Sequence, residues 1–290
     1  MMHWRVSRGL AFNNQKRTNP MKNQGWTRRL FAVALITSAA AITFAGAQAQ
    51  DNTIAKIKAR GKLLAGVKFD TPPFGFLDDK NQPVGFDIDL MRKIAEHIGV
   101  PVELVSVTSP TRIPMLVSGN VDLVAASMTH TRERDKTIDF SITYYTGGQS
   151  LLVPNTSTIT GLKDLEGKQV SVQQGTTLEK NIAAAAPKAQ VVAFKDYNSA
   201  WLALGQGRVD ALTGSLNILQ GFAKDNPNVK IVGELFSIEP FGIGIRQGDS
   251  ALRDEINFTL QDLWTSGAYT ELYRKWFHAD PTVPIETWPN

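Results

Sequence analysis

Short apolar runs alternate along the chain with longer stretches in which apolar residues recur at helical spacing. The runs at 62–67, 102–107 and 121–126 have the length and composition of buried strands. Between them the sequence predicts a helix over 85–97, with acidic residues in its first turn, and a shorter helix that ends before Asn120. Strands and helices in this alternation predict a parallel sheet with right-handed crossovers.

The same alternation returns in the second half of the chain and predicts a second small domain near 150–232. Its expected strands and helices are, in order, strand 168–172, a helix through 183–186, strand 191–194, helix 197–206 and strand 209–213. Extended segments flank this domain, followed by an amphipathic helix over 250–267 and a short final helix. Two α/β lobes joined by two extended crossings predict a hinged cleft in which a ligand contacts both lobes.

The first 49 residues have the pattern of a cleavable signal peptide. Arg28 and Arg29 precede the apolar run 30–36, and Ala47-Gln48-Ala49 forms a cleavage site of the A-x-A type. Met21 is a second candidate for the true start, and the two arginines resemble a twin-arginine signal, although ordinary secretion is the simpler interpretation. We therefore expect an exported mature chain.

Charge and cysteine content narrow the function classes. Residues 1–50 hold seven of the 31 basic residues and no acidic one, which leaves 24 basic against 27 acidic residues and a net charge of −3. A mature chain of this charge gives no support for nucleic-acid binding. The absence of cysteine excludes disulfides, thiolate metal sites and cysteine nucleophiles.

Polar residues cluster where the predicted strand 121–126 ends. Ser127 and Thr129 follow the strand, and Thr131 is a candidate N-cap. Ligands of open α/β sheets lie at the carboxyl ends of the strands, so hydroxyls, free N–H groups and Arg134 would meet a cleft there. These groups suit a carboxylate. The alternative is a capping loop followed by a solvated, charged helix start.

An ordered set of motifs resembles bacterial periplasmic solute-binding proteins of the polar amino-acid type (family 3), the receptors of ABC importers. The motifs cover nearly the whole mature chain and comprise Gly85-Phe86-Asp87-Ile88-Asp89-Leu90, Arg112-Ile113-Pro114-Met115-Leu116, Gly119-Asn120-Val121-Asp122-Leu123-Val124, Thr131-Arg132-Glu133-Arg134, Ile138-Asp139-Phe140-Ser141, Asp164-Leu165-Glu166-Gly167-Lys168, Gly175-Thr176-Thr177 and Glu239-Pro240-Phe241-Gly242-Ile243-Gly244. The resemblance implies a type II, two-lobed α/β fold with two hinge strands, in which 50–146 and 236–290 form lobe 1 and 150–232 form lobe 2. It also implies a periplasmic monomer, without cofactor, that delivers a small anionic amino acid to an inner-membrane permease.

The resemblance also implies roles for individual residues. Arg134 matches the arginine that binds the α-carboxylate of the ligand, as a planar guanidinium can do with two hydrogen bonds. Ser127 and Thr129 match positions that contact the same head group. Thr176 and Thr177 lie at a predicted helix N-terminus, which attracts anions, although they also suit a simple cap.

Selectivity is expected to depend on Lys68, Ser109 and Arg112. Their pattern resembles receptors for glutamate or aspartate, in which basic residues bind a second carboxylate. The alternatives are a solvated lysine at the rim and an exposed arginine in the first turn of a helix. Phe69, Phe74 and Tyr197 are candidates for an aromatic wall or for ordinary core packing.

One position departs from the family pattern. Ser215 stands where such receptors usually place an aspartate for the α-ammonium group, on the expected loop after strand 209–213. A serine hydroxyl cannot supply a charge-assisted hydrogen bond. Either another acidic group binds the ammonium or the ligand has none.

Other functions remain open at this level. A dehydratase-like enzyme on the same fold would need a general acid, for which Glu179 and Glu239 are candidates, but no catalytic set and no metal-ligand spacing is visible. A receptor for a dicarboxylate that is not an amino acid, or a sensory partner of a membrane protein, would have a similar cleft. The binding protein is the leading interpretation, and no catalytic residue is expected.

Overall fold

A computed structural model describes residues 52–289, and the predicted signal peptide lies outside the described residues. The strands are β1 (Leu63–Val67), β2 (Asp70–Thr71), β3 (Gly75–Leu77), β4 (Pro83–Val84), β5 (Val102–Ser106), β6 (Leu123–Ala125), β7 (Ile138–Phe140), β8 (Tyr145–Gly147), β9 (Gln149–Pro154), β10 (Gln169–Gln173), β11 (Gln190–Phe194), β12 (Ala211–Ser215), β13 (Val229–Val232), β14 (Glu239–Phe241) and β15 (Gly244–Arg246). The helices are α1 (Thr53–Arg60), α2 (Phe86–Ile98), α3 (Arg112–Val117), α4 (Thr177–Ala185), α5 (Tyr197–Gly205), α6 (Leu216–Ala223), α7 (Ser250–Thr265) and α8 (Ala268–Phe277).

Ten of the strands in the described part of the chain form two five-stranded sheets, one in each lobe, and β2, β3 and β4 form a small separate sheet. The first has the order β5-β1-β6-β15-β7, with β5, β1 and β6 parallel and β15 antiparallel to both of its neighbours. The second has the order β11-β10-β12-β9-β13, with a parallel half and an antiparallel half. The prediction of two α/β lobes is confirmed. In each lobe the parallel strands end at one edge, and this edge faces the other lobe.

Two extended segments cross between the lobes. Strands β8 and β14 pair antiparallel, with Glu239 opposite Gly147 and Phe241 opposite Tyr145. Both ends of β14, Glu239 and Phe241, lie beside the cleft. The residue boundaries of the lobes that the sequence predicts remain a proposal.

Local sequence explains where helix α2 begins. Gly85 has a φ of 139°, and a Cβ at this position would lie 2.2 Å from the carbonyl oxygen of Phe74. Only glycine fits such a close approach of two backbone segments. Helix α2 thereby starts directly behind the loop that follows β1, and its first turn lies behind the cleft.

The core of lobe 1 contains a cluster of aromatic rings. The ring of Phe74 packs edge-on against Phe86, Tyr145 and Phe241, with centroids 4.9 to 6.4 Å apart. Phe277 of α8 also contacts Phe74, at a centroid distance of 5.3 Å. The C-terminal helix is therefore part of the core on which β8 and β14 rest. No helix within 52–289 combines the length and apolar character that a membrane span requires.

Candidate functional site

A small cavity of about 20 Å³ lies between the lobes. This volume is far below that of ordinary ligand sites, because the two walls lie in contact with each other. Its lining is Lys68, Arg112, Ser127, Thr129, Gln173, Thr176, Thr177, Leu178, Tyr197, Ser215, Ile218, Glu239 and Phe241. Eight of the twelve residues that the sequence marks as site candidates are in this set: Lys68, Arg112, Ser127, Thr129, Thr176, Thr177, Tyr197 and Ser215.

The lobe 1 residues of the cavity follow the ends of adjacent parallel strands. Lys68 comes directly after β1, Arg112 opens α3 after β5, and Ser127 follows β6. Because the order β5-β1-β6 makes these strands neighbours, their carboxyl ends bring the three side chains together.

The second lobe repeats this arrangement. Gln173 is the last residue of β10, Thr177 opens α4, Tyr197 opens α5 after β11, and Ser215 is the last residue of β12. The sequence prediction of a loop at Ser215 is wrong, since this residue still belongs to the strand and α6 begins directly after it.

Lys68 is a buried cation, not a rim lysine, with only 2% of its surface exposed. Its Nζ donates a hydrogen bond of 2.6 Å to Gln173 Oε1 and lies 5.3 Å from the centroid of the Tyr197 ring. Burial lowers the pKa of Lys68 to about 7, although the negative charge of Asp70 opposes the shift. A carboxylate or carbonyl oxygen beside Nζ would therefore favour the protonated lysine.

Gln173 joins the two lobes at the Lys68 end of the cavity, and nothing in the sequence analysis singled it out. Its Oε1 also accepts a hydrogen bond of 3.0 Å from Ser109 Oγ, and its Nε2 donates to Asp70 Oδ2 at 3.4 Å. Ser109 is thus beside the site through Gln173 without lining the cavity. The position at the end of a parallel strand was the signal that could have identified Gln173.

Arg112 is buried, which excludes the alternative of an exposed first-turn arginine. One terminal nitrogen donates to the carbonyl of Ala126 at 2.7 Å, while Nε has no hydrogen-bond partner among the described residues. Burial and then the nearby charge of Arg134 lower the pKa of Arg112 to about 9, so the guanidinium remains charged at neutral pH.

Four polar atoms of the cavity lining are buried without a hydrogen-bond partner within 52–289. They are Arg112 Nε, Ser127 Oγ, Tyr197 Oη and Ser215 Oγ. Buried polar groups are normally paired, since an unpaired one costs about 1 to 3 kcal/mol. Unpaired groups that converge on one cavity indicate a polar ligand.

A buried carboxylate holds Ser127 in place. Ser127 has a φ of 46°, an uncommon left-handed conformation for a residue other than glycine. Its N–H donates to Asp87 Oδ2 at 2.9 Å, and the Tyr144 hydroxyl donates to Asp87 Oδ1 at 2.8 Å. Asp87 thereby fixes the chain behind the cavity wall.

Glu239 is the carboxylate of the cavity and comes from the crossing strand β14. Its Oε2 accepts hydrogen bonds from Thr129 Oγ1 at 2.5 Å and Thr177 Oγ1 at 2.6 Å, and its Oε1 accepts one from Asn181 Nδ2 at 2.7 Å. All three donors are neutral, and none of the ion pairs within 52–289 includes Glu239. The sequence marked this residue only as the possible acid of an enzyme.

Arg134 lies at the edge of the cavity and does not line it. Its guanidinium donates to the carbonyl oxygens of Thr129 at 2.6 Å and Gly175 at 3.3 Å, which links the two lobes. It lines an outer groove that shares Thr176 and Thr177 with the cavity. Its role as the carboxylate anchor remains a prediction.

The structure does not place Phe69 and Phe74 in the cavity. Phe74 is fully buried in the aromatic core of lobe 1, and Phe69 packs against the same core. The apolar lining comes from Phe241, Leu178 and Ile218, with the ring of Tyr197. No pattern in the sequence distinguishes these residues from ordinary core residues.

The described residues offer no group of three or more histidine, aspartate or glutamate side chains that could hold a metal ion. His130, next to Thr129, pairs with Asp135 and stacks on Phe140. The chemistry of the cavity is therefore that of its own cations, carboxylate and hydroxyls.

The amino-acid sequence is similar to those of known binding proteins from bacteria. The glutamine-binding protein GlnH of an ABC transporter from Bacillus subtilis is 39% identical over 270 residues, which cover 88% of this chain and 99% of that protein. The glutamine-binding protein of Geobacillus stearothermophilus is 46% identical over 198 residues, which cover 67% of this chain and 76% of that protein.

A solved structure shares the fold. The ancestral amino acid-binding protein AncCDT-1, described as a precursor of cyclohexadienyl dehydratase, aligns with a TM-score of 0.72 at 37% identity, covering 78% of this chain and 99% of that one. Residues 63–279 match the family described as bacterial extracellular solute-binding proteins, family 3. The two-lobed fold, the interlobe cavity and this match lead to one conclusion: the chain belongs to that family.

Proposed function

We propose that this protein is the extracytoplasmic substrate-binding protein of an ABC transporter for amino acids, with glutamine as its preferred ligand and glutamate as a second ligand. The family supports the general function, and the names of the two relatives above support glutamine. The sequence analysis favoured an acidic amino acid, but both of these relatives are named for glutamine.

The balance of charge around the cavity carries the choice of ligand. Lys68, Arg112 and Arg134 supply three cations around the cavity, while Glu239 in the wall and Asp70 and Asp87 behind it supply three carboxylates. A zwitterion with a neutral side chain adds no net charge to this set, whereas glutamate adds one negative charge. The balance therefore favours an amide side chain.

The α-carboxylate of the ligand is proposed to bind near Arg134, Thr129 and the N-terminus of α4. The helix has nine residues and begins at Thr177, so its first N–H groups are free to meet an anion. Arg134 would exchange its contacts with backbone carbonyls for two hydrogen bonds to the carboxylate.

Glu239 is proposed as the partner of the α-ammonium group. Ser215 stands where related receptors usually place an aspartate for the ammonium group, so another acidic group is needed. Glu239 is the carboxylate of the cavity lining, and three neutral donors orient it. The unpaired hydroxyls of Ser127 and Ser215 are available as further acceptors. The side-chain end of the ligand would then lie toward Lys68 and Arg112, whose donors suit a carbonyl oxygen.

Export to the periplasm, delivery to a membrane permease and a monomeric state belong to the same proposal. Their support is the family and the signal-peptide pattern of 1–49. Closure of the two lobes around the ligand would give the permease a surface that differs from the open form.

An enzymatic function is not proposed. The carboxyl group in the cavity, Glu239, accepts three hydrogen bonds and donates none within 52–289, so none of its contacts is that of a general acid. Glu179, the other candidate, lines the outer groove.

Calorimetric titration of the purified protein with glutamine, glutamate, aspartate, asparagine, arginine and succinate tests the proposal. We expect glutamine to bind most tightly, glutamate more weakly, and arginine and succinate not at all. Binding of arginine alone, or of succinate as tightly as glutamate, would contradict the proposed ligand class.

A further inference from the structure

A buried carboxylate lies directly behind the cavity, and the ligand contacts proposed above do not use it. Asp87 is in the first turn of α2 and is 1% exposed. Only Ser127 separates it from the cavity, because the Ser127 N–H binds Asp87 while Ser127 itself forms part of the wall. A charge at this depth acts on the cavity through protein rather than through water.

The groups that face Asp87 come from several elements. The Tyr144 hydroxyl donates a hydrogen bond to Asp87. Tyr269 of α8 lies near enough that the charge of Asp87 raises the pKa of Tyr269. Lys68, after β1, and Arg112, on α3, are the cations whose charges act on it. Asp87 forms no salt bridge with either within 52–289, so it acts as a counter-charge at a distance.

We propose that Asp87 is a specificity-determining residue, which sets the net charge of the cavity and so the preference between glutamine and glutamate. The inference rests on the proposed function, since it concerns the ligands of that cavity. With Asp87 charged, the cations Lys68, Arg112 and Arg134 are balanced by the carboxylates of Glu239, Asp70 and Asp87, and a neutral ligand side chain is favoured. With Asp87 neutral, one cation is left unbalanced, and the γ-carboxylate of glutamate is favoured.

Protonation offers a second way to remove this charge. Burial raises the pKa of Asp87 to about 6, although the hydrogen bonds from Tyr144 and Ser127 and the charges of Lys68 and Arg112 oppose the shift. Asp87 is therefore ionised above pH 6 and becomes neutral as the pH falls through 6. Acidification should shift the preference toward glutamate, as removal of the charge does. The γ-carboxyl group of glutamate stays ionised above about pH 5.5.

Asp87→Asn tests the inference with little change in shape. The amide oxygen can accept from the Ser127 N–H, and the amide nitrogen can donate to the Tyr144 hydroxyl, which can act as an acceptor. The experiment measures the dissociation constants for glutamine and glutamate between pH 5.5 and 8, with protein expressed as the full chain. The ratio of the two constants is the readout, because a general loss of stability or affinity affects both.

For a charge several ångströms from the ligand, we expect the ratio to shift toward glutamate by about tenfold in Asp87→Asn at pH 7.5. Lys68, with a pKa of about 7, also gains its charge as the pH falls, so the acid shift that belongs to Asp87 is the part that the wild type shows near pH 6 and Asp87→Asn does not. Asp89→Asn is the matched control, since Asp89 lies on the same helix but pairs with Arg92 and Lys275. Its ratio should remain that of the wild type.

Tyr144→Phe provides an independent test if Asp87→Asn does not fold. It removes a hydrogen bond that lowers the pKa of Asp87, so the pH at which the ratio changes should rise. A ratio within twofold of the wild type in Asp87→Asn, or an unchanged midpoint in Tyr144→Phe, would overturn the inference while glutamine binding persists. If the wild-type protein binds neither glutamine nor glutamate, the proposed function is overturned, and the inference with it.

Discussion

The two walls of the cavity differ in the chemistry they present. The cationic wall of lobe 1 consists of Lys68, Arg112, Ser127 and Thr129, with Asp87 behind it. The neutral wall of lobe 2 consists of Gln173, Thr176, Thr177, Leu178, Tyr197, Ser215 and Ile218, which carry hydroxyls, an amide and apolar surface. Charge is thus concentrated on one lobe, while the other lobe encloses the ligand and provides shape.

This difference assigns separate tasks to the lobes. Buried charges are costly to fold, so a wall that carries them reduces the stability of its own lobe in exchange for recognition. The neutral wall adds hydrogen bonds and apolar contacts, which stabilise the bound ligand only when the two lobes are closed. We therefore expect changes to the cationic wall to affect affinity and charge selectivity, and changes to the neutral wall to affect closure.

Arg112→Met should have the largest effect, because it removes a buried cation from the cationic wall and leaves the ligand oxygen without its partner. Loss of one partner of a buried charged pair costs about 2 to 5 kcal/mol, which corresponds to a loss of at least about 30-fold in affinity. Calorimetric titration with glutamine and glutamate measures it. Arg112→Lys should recover only part of the affinity, since lysine lacks the planar donor set. Full affinity in Arg112→Met would show that Arg112 does not contact the ligand.

Glu239→Gln should weaken binding by about 10- to 100-fold, because a charge-assisted hydrogen bond to the ammonium group contributes about 1.5 to 3 kcal/mol. The matched control is Glu179→Gln on α4, which lines the outer groove and should bind as the wild type. Equal losses in both variants would contradict the role of Glu239.

Lys68→Met should stabilise the ligand-free protein while it removes a ligand contact. In the folded chain the pKa of Lys68 is about 7, below its ordinary value of 10.5. The unfolded chain therefore holds this proton more tightly, and the cost of burial is complete below pH 7 and disappears as the pH rises toward 10.5. Each unit of difference corresponds to about 1.4 kcal/mol, and the lost contacts with Gln173 and Tyr197 offset part of it.

We expect a gain of about 1 to 2 kcal/mol in the free energy of unfolding of Lys68→Met at pH 6 and a smaller gain at pH 9. Urea denaturation at both pH values measures it. Lys62→Met, at an exposed position, should show no such gain. A gain that grows with pH would contradict the sign of the argument.

Gln173→Ala should have the smallest effect and should act on closure. It removes the amide that accepts from Lys68 and Ser109 across the lobes, and a typical hydrogen bond contributes about 1 kcal/mol, or about fivefold in affinity. Small-angle X-ray scattering of the ligand-free variant should show a larger radius of gyration than the wild type. Gln174→Ala, at the exposed neighbouring position, is the control. An unchanged radius would show that Gln173 does not hold the lobes together.

The sequence was informative where strand order alone determines position. Ser127, Lys68 and Arg112 follow adjacent parallel strands, so their proximity follows from topology. The pattern could not show on which side of its loop Phe74 would pack, and the structure places this ring in the core. Helix α6 was not predicted, because Gly214-Ser215 has the composition of a turn although Ser215 ends a strand.

The remaining site residues depend on contacts between distant parts of the chain. Glu239 meets Thr129 across 110 positions of sequence, and Gln173 meets Lys68 across 105. No local pattern contains such pairings. The sequence could therefore identify the cationic wall, but it could not identify the residues that complete the cavity from the other lobe and from the crossing strand.

Glu239 belongs to the strand pair β8–β14 that crosses between the lobes, and this position has a mechanical consequence. When two lobes rotate about a hinge, the atoms near the hinge axis move least. A ligand group bound to Glu239 therefore stays in place while the lobes swing apart, and the contacts with the far ends of the two walls break first. Release of the ligand should begin when the neutral wall separates from it. Release should end at the hinge strands, where the ammonium group is the last part of the ligand to leave.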